Sequence, residues 1–155
     1  QVKARNTPVQ SWFLDLSLLM AYWEGDGART YHHTAPVNAM YGLHEALLMV
    51  KEEGLENSWH KHRAMHEVLV ENLNGIGLEF VVDASYRLPQ LNLVKIPEGV
   101  DEAAVRKRLL SEFNLEIGAG LGAFAGKVWR IGLMGYSARH ENIQLCTSAL
   151  KHCMR

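Results

Sequence analysis

The run SWFLDLSLLMAYW, residues 11–23, constrains the fold of this chain more than any other feature. Trp12, Leu16, Leu19 (or Met20) and Trp23 recur at helical spacing, and Gly25-Asp26-Gly27 is expected to stop the helix. A helix this apolar needs burial on most sides. The segments that follow offer little to cover it, which implies partner surface supplied from elsewhere. No apolar stretch approaches the ~20 residues of a membrane span, so none is expected. Residues 1–10 are polar, carry Pro8 and read as a connector. The start at Gln1, with Lys3 and Arg5 leading into Asn6-Thr7-Pro8, does not resemble a signal peptide. The chain is expected to be the C-terminal part of a larger protein.

Residues 28–36 read as a loop ending at a helix start, with Thr34 as N-cap and Pro36 in the first turn. That helix is expected to run to about Glu53, where Gly54 stops it. A second helical pattern, Leu55, Trp59, Met65 (or His66), Leu69 and Leu73, continues to Gly75. Residues 34–75 thus form one long, interrupted helical arm. The pattern then changes. LEFVV (78–82), QLNLVKI (90–96), Leu115–Ile117 and KVWRIGLM (127–134) read as strands. Asp101 is expected to cap a helix through DEAAVRKRLLSEF, and Ser137 to open a final helix to about Cys153. The expectation is an α+β fold, a three- or four-stranded, mainly antiparallel sheet with helices on one face.

Lys+Arg is 16 against Asp+Glu 17, a net charge of −1, which excludes a strongly basic nucleic-acid surface. Apolar residues make up 48%, enough for a packed core and against disorder. Two cysteines, Cys146 and Cys153, build no disulfide framework and read as buried, reduced thiols on a late helix.

Arg130 is the most informative single residue. In a strand over Val128–Leu133, Val128, Arg130 and Gly132 share one face and Trp129, Ile131 and Leu133 the other. An arginine amid apolar neighbours is costly to bury unless it meets a carboxylate or phosphate. It is a bidentate clamp for a substrate carboxylate, half of a structural ion pair, or an edge arginine in solvent. Gly132 leaves room for something to approach. Tyr31-His32-His33-Thr34 places hydroxyls and imidazoles just before a helix N-terminus, where phosphate is favoured. The plainer alternative is that Thr34 caps while the rings pack. Gly118-Ala119-Gly120-Leu121-Gly122 lacks the spacing of a dinucleotide loop and reads as a turn that shapes a pocket wall. His60, His62 and His66 are interleaved with Lys61 and Arg63 and read as a solvated helix face, with no metal site expected.

Three segments carry a resemblance: FLDLSLLMAYWEGDGARTYHHTAPVNAMYGLHEAL, GLENSWHKHRAMHEVL and LEIGAGLGAFAGKVWRIGLMGYSARHENI. Together they resemble the C-terminal portion of alanine–glyoxylate (serine–pyruvate) aminotransferases, class V, fold-type I enzymes of pyridoxal 5'-phosphate. The resemblance covers nearly the whole chain. It implies that residues 1–33 are the tail of the large cofactor-binding domain, 34–75 an interdomain arm and 76–155 the small C-terminal α+β domain. It implies that Tyr31 and Thr34 contact the cofactor phosphate of the neighbouring subunit in a homodimer, and that Arg130 binds the carboxylate of the small amino-acid or keto-acid substrate. No segment resembles the S-x-Q-K stretch that carries the family's Schiff-base lysine, and none of the seven lysines here matches it. The 155 residues alone are therefore expected to be inactive. The implied reaction is transamination of alanine or serine with glyoxylate or pyruvate. Alternatives are a ureidoglycine–glyoxylate or hydroxykynurenine transaminase, or a non-catalytic assembly or binding module if the chain acts alone. The C-terminus carries no Ser-Lys-Leu address, and the cytoplasm is the default expectation.

Overall fold

The computed structural model describes residues 1–24 and 30–155. The expected stop at Gly25–Gly27 lies outside the described residues. The chain divides into two compact units, Gln1–Met49 and Val50–Arg155, each treated by itself.

The first unit holds helix α1 (Leu16–Glu24) and most of helix α2 (Val37–Glu53). α1 starts later than the apolar periodicity suggests because Asp15 interrupts it. The Asp15 carboxylate accepts from the Ser17 N–H at 2.9 Å and from its hydroxyl at 2.6 Å, so residues 11–15 turn before the helix begins. α2 likewise starts at Val37 rather than after Thr34. The Pro36 carbonyl accepts the first helical bond, from Met40 at 3.0 Å, and Thr34 is not the cap. No residue of α1 or α2 is buried. Trp12, Phe13, Leu14 and Trp23 are 57–68% exposed among the described residues, in line with the little cover expected for the apolar run.

In the second unit Gly54, at φ +82°, separates α2 from α3 (Leu55–Gly75) as expected. Then come β1 (Leu91–Lys95), α4 (Glu102–Phe113), β2 (Gly118–Ala119), β3 (Val128–Gly132) and α5 (His140–Cys153). The sheet has three antiparallel strands in the order β1-β3-β2. The fold is the expected α+β domain. Asp101 caps α4, its carboxylate accepting from the Ala103 and Ala104 N–H groups, each at 3.0 Å.

Three boundaries differ from the expected ones. Residues 78–82 make only one bridge, Phe80 to Val94, because Asp83 starts a tight turn over Ala84–Tyr86 at once. The expected strand 115–117 gives way to Gly118–Ala119. Asn114 is left-handed (φ +51°) and the Leu115 N–H still bonds the Leu109 carbonyl, so pairing with β3 begins only at Gly118. The final helix opens at His140, after a 3-10 turn over Gly135–Ser137.

One sheet face and three helices enclose the core. Trp129 and Ile131 of β3 face inward opposite Val94 and Asn92 of β1. α5 packs on both α3 and α4, and Leu69, Leu73, Leu109 and Leu150 are sealed from solvent. Each such side chain contributes about 1.5–3 kcal/mol. Among the described residues no helix is long and apolar enough to cross a membrane.

Cys146 and Cys153 are free and buried, as expected. Burial pushes the Cys146 thiol from 9.0 up to about 12. The sign follows from linkage. Below pH 9.0 the thiol is protonated in folded and unfolded chains alike; between 9.0 and about 12 only the unfolded chain ionises. Stability should therefore fall as pH rises through this window, and Cys146→Val should flatten that alkaline limb in denaturant titrations. An identical slope in the variant would contradict the assignment.

Candidate active site

Arg130 lies on the sheet face opposite the helices, half-buried, at the centre of β3. Its strand neighbours are Leu93 of β1 and Gly118 of β2. The Nε–H donates to the Ala119 carbonyl at 2.7 Å. Among the described residues no carboxylate lies within ion-pair distance of the guanidinium. Among the described residues the structural-ion-pair alternative finds no partner. One edge of the planar fork is pinned to the backbone, and among the described residues its remaining N–H groups meet no acid, an arrangement that suits a bidentate carboxylate partner.

The glycines around Arg130 make this possible. A Cβ on Gly118 would stand 3.2 Å from both Nε and Nη2 of Arg130, so the bare α-carbon lets the guanidinium lie along β2 without shifting. A Cβ on Gly120 would fall 2.0 Å from the Phe124 carbonyl oxygen. The glycine-rich stretch is thus a site of close backbone approach, as its composition suggested. Gly132 differs: a Cβ there meets only the Met134 methyl, at 3.6 Å, and the position is exposed. Gly132→Val should leave the denaturation midpoint nearly unchanged, within about 0.5 kcal/mol. In the full-length protein it should also raise KM, because it fills the approach to Arg130 on the same face.

The first unit holds the second candidate. The Tyr31 hydroxyl and Thr34 Oγ1 lie 2.7 Å apart and exchange a hydrogen bond. Tyr31 is 73% exposed. The intervening histidines turn the other way. His32 is buried with its ring 3.9 Å (centroid to centroid) from Trp12, and His33 lies 4.5 Å from Phe13. The two hydroxyls named from sequence therefore come together. Arg130 belongs to the other unit.

No family model matches the chain. Alanine–glyoxylate aminotransferase of Callithrix jacchus is 43% identical over 157 residues, which cover all of this chain and 38% of that protein. The crystal structure of alanine–glyoxylate aminotransferase from Nostoc sp. matches 99% of this chain and 40% of its own, with a TM-score of 0.91 at 49% identity. Over its whole length the chain is similar to alanine–glyoxylate aminotransferases. (S)-Ureidoglycine–glyoxylate transaminase of Bacillus subtilis (strain 168) is 40% identical over 146 residues, 94% of this chain and 35% of its own length. The chain spans about two-fifths of the length of the alanine–glyoxylate aminotransferases it matches.

Two residues of the described structure were not legible in the sequence. His62 is buried, not part of a solvated face. Its Nε2 accepts from the Gly135 N–H at 2.9 Å, so Nδ1 carries the proton and donates to the Ser58 carbonyl at 2.6 Å. It ties α3 to the loop that follows β3, and neither nitrogen is spare. Tyr22, one of several aromatics in the apolar run, bonds the backbone of His32 and His33. No sequence signal separates it from its neighbours.

Proposed function

We propose that the full-length protein transaminates a small amino acid, alanine or serine, with glyoxylate or pyruvate as acceptor, using pyridoxal phosphate. In this reading residues 1–33 finish the large domain, 34–75 are the interdomain arm and 76–155 the small domain. The observation that carries it is the guanidinium of Arg130, fixed at Nε by Ala119 and unpaired with any acid among the described residues. The names of the similar proteins support the reaction class.

The cofactor fits the residues present. Tyr31 and Thr34 offer two hydroxyls within 2.7 Å of each other, ahead of the N-terminus of α2, a donor set suited to a phosphate oxygen. They would hold that phosphate, contributed to the neighbouring subunit of a homodimer. When bound, pyridoxal phosphate supplies the electron sink that makes the α-proton labile and carries the amino group. Arg130 does the rest of what this chain contributes. It grips the α-carboxylate shared by amino acid and keto acid, and so orients the α-carbon; its advantage is positional. Because that contact persists in ground and transition states, its loss falls on KM.

None of the seven lysines here is proposed to bond the cofactor. Lys3, Lys61 and Lys95 are instead paired with Glu24, Glu53 and Glu79. Borohydride reduction of the loaded full-length protein, followed by peptide mapping, should place the label outside these 155 residues. A label on any of the seven would overturn that statement. Tyr31→Phe should weaken cofactor retention on gel filtration of the dimer; unaltered retention would remove its role. A second reading rests on the Bacillus subtilis relative: the donor is a ureidoglycine-type amine. Steady-state assays with alanine, serine and ureidoglycine decide between them.

A further inference from the structure

We propose that Tyr22 is a positioning residue for the cofactor phosphate, its hydroxyl being the hub that shapes the Tyr31–Thr34 loop. The proposal rests on the reading of Tyr31 and Thr34 as phosphate contacts. A phenol has one hydrogen to donate and two lone-pair positions to accept with. In Tyr22 all three serve the same two residues. The oxygen accepts from the backbone N–H of His32 and from that of His33 at 3.1 Å, and the hydroxyl donates to the His33 carbonyl at 3.2 Å.

The loop has little else to hold its backbone. Among the described residues, 31–34 make no backbone–backbone hydrogen bond. Trp12 and Phe13 secure the His32 and His33 rings, and the two imidazoles meet through their Nδ1 atoms at 2.8 Å. These contacts fix side chains. Among the described residues Tyr22 alone fixes the direction of the consecutive N–H groups, and with it the turn that sends Tyr31 and Thr34 to one side, 2.7 Å apart. Consecutive backbone N–H groups converging on one oxygen also form a small anion-seeking concavity. By occupying it, the Tyr22 oxygen keeps an anion from settling on the backbone and leaves the flanking hydroxyls as the donors.

Apo full-length protein, titrated with pyridoxal phosphate and separately with pyridoxal, separates a phosphate role from a general brace. Tyr22→Phe keeps the ring and deletes the hub. It should weaken pyridoxal phosphate binding about tenfold, the scale of one or two net hydrogen bonds, and leave pyridoxal binding unchanged. Equal loss for both ligands, or loss for neither, overturns the proposal. Tyr31→Phe serves as the reference. If it weakens pyridoxal phosphate while Tyr22→Phe does not, only the hub fails. If Tyr31→Phe has no effect, the phosphate reading itself fails and the hub with it. Should Tyr22→Phe not fold by circular dichroism, 3-fluorotyrosine at position 22 weakens the acceptor without removing it. A shifted phosphorus-31 resonance of bound cofactor is then expected, and an unshifted one overturns the proposal.

Discussion

Arg130→Ala in the full-length protein is expected to raise KM for the amino donor and the keto-acid acceptor together, by about a hundredfold or more. Both substrates present the same carboxylate, so a shared clamp must affect both half-reactions. Truncation leaves that carboxylate without its charged partner on a half-buried sheet face. Arg130→Lys is expected to recover little. A lysine has one nitrogen, and the proposed clamp asks for two functions: an N–H held by the Ala119 carbonyl at 2.7 Å and a separate edge for the ligand. The measurement is a pair of half-reaction titrations. A rise confined to one substrate would show that the guanidinium grips something other than the common acid group, and no rise at all would remove the clamp.

Gly120→Ala should cost about 3 kcal/mol of stability or prevent folding, the upper end of overpacking effects. The added methyl would sit 2.0 Å from the Phe124 carbonyl oxygen, 2.7 Å from its carbon and 3.0 Å from Val128. Two of these are backbone atoms of the turn that carries the chain into β3, so neither can swing aside as a side-chain tip would. Gly118→Ala is the instructive contrast. Its Cβ meets the Arg130 side chain, which is able to yield by a few tenths of an ångström. Gly118→Ala should hold stability and raise KM, whereas Gly120→Ala should lose the fold itself. Equal denaturation midpoints for Gly120→Ala and the native protein would refute the packing argument.

The elements were largely legible from the residues. The interrupted helices around Gly54, the Asp101 cap and the strand bearing Arg130 all follow from short-range chemistry, and the structure keeps them. The misplacements are instructive. Thr34 looked like a cap because its hydroxyl suits one; a tyrosine three residues earlier took that hydroxyl instead. The expected strand at 115–117 lost its pairing to the closing turn of α4. His62 looked solvated amid charged neighbours, yet it reaches a backbone N–H 73 residues away. In each case a competing partner decided, and the sequence pattern does not record which partner is near.

What the sequence alone determined is the alphabet of the site: an arginine on a strand face, two hydroxyls before a helix, glycines where no side chain fits. Alternation, propensity and the cost of burying charge suffice for that, because they act within a few residues. What only the tertiary structure decided is commitment. Whether the guanidinium spends its hydrogens on an acid or keeps them, which carbonyl holds it, and which phenol braces the histidine backbone all depend on groups 10–11 residues or more apart in the chain. Hydrogen bonds are short and directional, so such partnerships exist only once folding has brought the two atoms within about 3 Å.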